Sequence, residues 1–149
     1  MIAAVTIILL IASVYDIKTK TVPLWITPCA LSIRLVYLVT NIMQGTQVRG
    51  ELKECMIAAF ILFIVLYIGA LVSNLGGADC LMAGIIGFAL GLPGILAVAI
   101  GFGLALPYTI YMKATDNEHE YAFVPYLFAG FLIAIAFIYN TGGSVGWLF

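Results

Sequence analysis

Charge is scarce in this chain. Of its 149 residues only 9% are charged, and the balance of 6 basic against 7 acidic side chains leaves a formal net charge of −1. With no basic cluster and no recognisable nucleic-acid module, it offers no electrostatic footprint for DNA or RNA, and no nucleic-acid partner is expected. Cysteine is also sparse. Cys29, Cys55 and Cys80 form no CxxC pair and are widely spaced, so neither a zinc site nor a disulfide framework is indicated; they read as small buried hydrophobes in or beside apolar runs. The lone histidine, His119, has no partner histidine or cysteine and is expected to be solvated. No metal and no cofactor is called for. The leading run MIAAVTIILLIASVY has neither the basic start nor the small-residue cleavage pattern of a secretory signal, and it is expected to remain as a first membrane helix.

What the chain has in abundance is apolar length. It is 64% hydrophobic, and its mean hydropathy of +1.19 is that of an integral membrane protein. Apolar runs recur at about residues 1–15, 24–43, 55–73, 80–91, 93–112 and 122–139. The expected architecture is therefore all-α: one polytopic bundle of about six transmembrane helices forming a single domain over residues 1–149, embedded in a lipid bilayer. Residues 80–112 as one helix would be roughly 50 Å long against a hydrocarbon core of about 30 Å, so a tight turn is predicted at Gly91 to Gly94. Pro107 predicts a kink in the fifth run. Trp25, Trp147 and the tyrosines near helix ends read as interfacial anchors.

Parity of the spans sorts the linkers. Those after the first, third and fifth helices share one membrane face and carry Lys18, Lys20 and Lys113; Arg49 and Lys53 lie on the other, so the basic residues lean towards placing the first face in the cytoplasm. Arg34 falls deep in the second run, where an unpaired cation is costly, and is expected to face the bundle interior or snorkel.

Of the acids, Glu51 and Glu54 read as members of one polar loop, and Asp116, Glu118 and Glu120 of another. Only Asp16 and Asp79 stand at the ends of apolar helices. Two complete helices separate them, which returns both to the same face and, in a compact bundle, to one site. Two carboxyls sharing a site hold one proton between them; the ionised member activates a water while the protonated member donates to a scissile carbonyl or leaving amine. Gly76 and Gly77 are expected to let the backbone turn and to let a substrate strand approach before the fourth helix begins. Cys80, Gly84, Gly87 and Gly91 form a small-residue strip that admits a neighbouring helix closely.

Three blocks carry a resemblance. Asp16-Ile-Lys-Thr-Lys-Thr-Val-Pro23 resembles the D-x-K/R…I/V-P segment of the type IV prepilin and preflagellin peptidases, which are membrane aspartic proteases of the GxGD type. Gly76-Gly-Ala-Asp79 is similar to their second signature, and Phe123-Val-Pro125-Tyr126 to a late F-x-P-F/Y stretch. The blocks occur in family order and span essentially the whole chain.

The resemblance implies a prokaryotic cytoplasmic-membrane endopeptidase that removes short basic leaders from pilin-like precursors. Asp16 and Asp79 would be the catalytic pair, and hydrolysis would be direct, without metal or covalent intermediate. Lys18, Lys20, Pro23, Gly76, Gly77, Ala78, Phe123 and Pro125 would be substrate-binding or supporting residues, and pilus or secretion assembly components would be possible partners. Ala78 departs from the family glycine, and Leu81 from a lysine often found there. The cysteine-bearing cytosolic domain of the large bifunctional enzymes is missing, which puts N-methylation in doubt and makes the small peptidase-only members the nearest likeness.

The residues leave other roles open. Lys18 and Lys20 either serve topology or hold Asp16 and a precursor backbone. The acidic loop at Asp116, Glu118 and Glu120 is either a solvated face or an attractor for a basic leader. A proton-coupled transporter subunit using Asp79 alone and an inactive scaffold of a pilus or secretion assembly are the alternative functions.

Overall fold

The computed structural model describes residues 1–23, 25–44, 49–72, 76–114 and 122–140, and among these it contains six α-helices and no strand. They are α1 (Ile2–Thr19), α2 (Ile26–Met43), α3 (Arg49–Val72), α4 (Gly77–Leu90), α5 (Pro93–Ala114) and α6 (Val124–Asn140). Four of them, α1, α2, α3 and α5, are long and apolar enough to cross a membrane; α4 and α6 are shorter. The protein is thus an all-α, multi-pass membrane bundle. Asp116, Glu118, His119, Glu120 and Trp147 lie outside the described residues, as does the side chain of Lys113.

The organising element is the shortest helix. At 14 residues, α4 is about 21 Å long, too short to cross the hydrocarbon core fully by itself. It touches all five other helices, and its buried residues lie on several sides: Asp79, Cys80, Met82, Ala83, Ile85, Ile86, Gly87, Ala89 and Leu90. A helix apolar all round belongs in the interior of a bundle. The others pack as an α3/α4 pair and an α5/α6 pair, with α1 set against α6 and α2.

Glycine sets two of these contacts. An added Cβ at Gly87 would lie 2.8 Å from Ala59 N and 2.9 Å from the Ala58 carbonyl, so α3 and α4 touch backbone to backbone there. Gly130 of α6 likewise abuts Ala97 O and the Gly101 backbone of α5. Without a hydrophobic driving force between helices in lipid, such close approach is what van der Waals attraction needs. The α4–α5 turn falls where the sequence predicts it. Gly91 has φ 65° and ψ −142°, a region open essentially to glycine, and Pro93 opens α5 at the position where its missing N–H costs nothing.

Several boundaries differ from the sequence reading. The third helix starts at Arg49, so Glu51, Lys53 and Glu54 are helical rather than in a loop; an acid in the first turn favours the helix N-terminus. The first helix runs on to Thr19, which puts Asp16 inside its last turn. Pro107 lies inside α5, where the sequence places it. Cys55 and Cys80 are buried, but Cys29 is exposed and is no core residue. Trp25 is 54% exposed beside the start of α2, consistent with an anchor.

Candidate active site

The buried residues of α1 are Ile2, Val5, Leu9, Ala12, Ser13 and Asp16. Steps of three and four lay them along one face of the helix, so the carboxylate of Asp16 follows Leu9 and Ala12 into the bundle. It is only 5% exposed. Its Oδ2 accepts the backbone N–H of Val124, the first residue of α6, at 3.0 Å, and the Phe123 N–H also bonds to the carboxylate. The chain leaves α1 at Lys20, which takes the left-handed conformation (φ 54°) and donates its N–H to Asp16 O.

Asp79 is the third residue of α4 and is 8% exposed. Its Oδ2 accepts the Gly76 N–H at 3.1 Å, while its own N–H returns to Gly76 O at 3.0 Å. This reciprocal cap ties the side chain to the N-terminal turn of α4. With α1 packed on α4, Asp79 lies within the Coulombic reach of Asp16. Each carboxylate thus lies at the N-terminus of a helix, Asp16 at that of α6 and Asp79 at that of α4, whose positive ends favour negative charge. Charges this well shielded from water interact strongly.

The residues flanking the acids occupy distinct places. Lys18 and Lys20 are exposed; the field of Lys20 reaches Asp16. Pro23 is half-buried in the connection to α2, and its carbonyl accepts the Ile26 N–H. Gly76 and Gly77 are exposed, and Ala78 is half-buried. The glycine pair does not turn the chain through positive φ: Gly76 has φ −72° and ψ 145°, and among the described residues only Lys20 and Gly91 have positive φ. Ala78 therefore sits in a conformation that suits alanine. Phe123 is buried with its ring 4.9 Å from that of Phe102, and Pro125 is half-buried in the first turn of α6.

Val124 was invisible to sequence reasoning. Its contribution is a backbone N–H, and no side-chain pattern announces one. The only available signal was its place between Phe123 and Pro125 in a motif that opens a helix.

An apolar groove of about 580 Å³ lies between α2 and α3, with Thr27 and Leu31 on one wall, Phe60 and Phe63 on the other, and Leu81 and Gly84 from α4. Leu81 follows Asp79 by two residues. Arg34 sits elsewhere, on α2, and is only 1% exposed. Its guanidinium donates to Met1 Sδ at 2.6 Å and to Cys55 Sγ at 3.0 Å and lies 5.2 Å from the Tyr37 ring centroid, while Nε has no hydrogen-bond partner. Met1 is fifteen residues before Asp16 on α1, so this cluster is about 22 Å along the helix from the acids. Among the described residues no group of three or more His, Cys, Asp or Glu side chains is arranged to hold a metal.

A model of the type IV leader peptidase family matches residues 3–139. No curated protein and no solved structure matches the chain.

Proposed function

The chain belongs to the type IV leader peptidase family, and from that premise we propose that it is an aspartic endopeptidase with Asp16 and Asp79 as its catalytic pair. Membership makes it a peptidase, a hydrolase of the membrane. The carboxyl pair supports the finer reading. Two acids from helices separated by two others in sequence are buried together, each at a helix N-terminus, in a bundle otherwise poor in charge.

One carboxylate takes a proton from water as its oxygen attacks the scissile carbonyl carbon. The other carboxylic acid first hydrogen-bonds the carbonyl oxygen and then protonates the leaving amine as the C–N bond breaks. Neither a metal nor a covalent enzyme intermediate is needed. The substrates are pilin-like precursors with short basic leaders, cut at the cytoplasmic face of a prokaryotic membrane, and components of a pilus or secretion assembly are the partners of the product. The groove floored in part by α4 supports an apolar precursor segment lying alongside the Asp79 helix. Lys18, Lys20, Pro23, Gly76, Gly77, Ala78, Phe123 and Pro125 are assigned supporting roles around the cut.

The pairing favours hydrolysis over proton-coupled transport, which would use Asp79 alone. The ordinary conformation of Ala78 removes the backbone reason for reading that departure as a sign of inactivity. The test is cleavage of a leader-bearing precursor by the purified protein in lipid. Asp16→Asn and Asp79→Asn are each expected to abolish it while the helical content and insertion are retained; cleavage at the wild-type rate by either variant would overturn the assignment.

A further inference from the structure

The two acids are not held alike. Asp79 is bonded by the cap of its own helix, through Gly76 N–H. Asp16 is bonded by a helix 108 residues away in sequence, through Val124 N–H, with Phe123 N–H adding to it.

The start of α6 is built to spare that donor. A helix leaves its first N–H groups without intrahelical partners. Here Pro125 has none to offer, and the N–H groups of Tyr126 and Leu127 turn back to Phe123 O at 3.0 and 3.3 Å. Val124 N–H goes to Asp16. The position of α6 is fixed firmly: Val124 and Leu127 are fully buried, Phe123 packs on Phe102, and Gly130 lies against the α5 backbone. A donor so anchored favours the acceptor that carries full charge.

We infer that the Phe123–Val124–Pro125 start of α6 is a positioning device that keeps Asp16 as the carboxylate and leaves the shared proton on Asp79. Resting on the reading of the pair as catalytic, this makes Asp16 the base towards water and Asp79 the acid towards the substrate. Val124 acts through Asp16 and is a positioning residue. The charged groups that act on Asp16 are Asp79 from α4 and Lys20 from its own helix end, where Lys18 is also exposed; Cys80 of α4 lies in the field of Asp79, and Tyr126 of α6 is next to the Tyr108 ring. The titratable groups of α2 stand apart: Cys29 is exposed, and Arg34 and Tyr37 belong to the distant cluster with Met1 and Cys55.

Val124→Pro deletes the donor at the first helical position, where proline is tolerated, while Val124→Ala keeps it. Replacing valine 124 by its α-hydroxy acid, which turns the amide into an ester, removes the same N–H with the side chain intact and serves if Val124→Pro does not fold. In lipid nanodiscs, infrared pH titration follows the protonated carboxyl band that Asp16→Asn abolishes. In the two N–H-deleted proteins that band is expected to grow in at a pH higher by about one unit. Their kcat is expected to fall roughly ten- to a hundredfold with KM unchanged, and the acid-side limb of the pH–rate profile to move up with the band. Val124→Ala, which shortens a buried side chain but keeps the N–H, is expected to keep the wild-type position of the band and of the acid-side limb. If the N–H-deleted proteins titrate like Val124→Ala, the device does not exist. Failure of the wild type to cut any leader-bearing precursor would overturn the proposed function, while the infrared titration would still decide the role of Val124.

Discussion

Substituting Gly87 by alanine measures how closely the helix carrying Asp79 is pressed onto α3. The new methyl carbon would stand 2.8 Å from Ala59 N, 2.9 Å from Ala58 C and 2.9 Å from Ala58 O. All three are backbone atoms, so no rotamer change makes room. Ordinary carbon contacts lie at about 3.5–4.0 Å, and α4 must withdraw from α3 by several tenths of an ångström or more. Overpacking of this kind costs about 1–3 kcal/mol. Alanine also outranks glycine in a helix interior by about 1 kcal/mol, which would mask part of the loss.

Gly103→Ala supplies the reference. Gly103 is inside α5 with nothing within 4 Å of an added Cβ, so it collects the helical gain with no steric loss. The difference between the two variants isolates the interface, and it is expected to be about 1–3 kcal/mol against Gly87→Ala. Reversible unfolding by SDS titration in mixed micelles, followed by circular dichroism, reads it directly. Equal stability of the two alanine variants would refute the backbone-to-backbone contact of α3 and α4.

Two further substitutions probe other parts of the bundle. Gly91→Ala is expected to cost about 1–3 kcal/mol in the same titration, because φ 65° with ψ −142° is essentially closed to other residues. Gly91→Asn is expected to do no better, since that ψ lies outside the left-handed region asparagine tolerates; rescue by asparagine would contradict the turn geometry. Arg34→Met keeps length and removes a buried charge whose Nε has no hydrogen-bond partner, so the variant is expected to be at least as stable as the wild type. A loss of more than about 2 kcal/mol would show that the bonds to Met1 and Cys55 outweigh the burial of the guanidinium.

Much of the fold was legible because a membrane simplifies the reading. Length and hydropathy alone separate the six helices, and parity alone returns Asp16 and Asp79 to one face. Glycine and proline likewise mark the turn at Gly91 to Pro93 from local geometry. Charge misled the boundary of α3, where Arg49, Glu51, Lys53 and Glu54 resembled a loop. Polar residues flanking a membrane span are compatible with continuing the helix beyond the apolar run, and an acid in the first turn even assists it. The depth of Arg34 could be anticipated, but not its sulfur neighbours, since Met1 and Cys55 come from the start of α1 and from α3.

The site was legible only as far as its side chains. Asp16 and Asp79 announce themselves as carboxylates among apolar residues, and the stripe from Ile2 through Leu9 to Asp16 even encodes which way the first one points. What distinguishes one acid from the other is carried by main-chain N–H groups, which every non-proline residue possesses. Proline 125 is the nearest the sequence comes to recording it: by withholding its own donor and allowing a helix to begin, it defines which N–H remains for the acid. A motif that looks like a packing signature, Phe123-Val124-Pro125, thus bears on the electrostatics of a residue 108 positions away. Substituting its side chains alone would perturb packing and charge together; deleting a single N–H separates them.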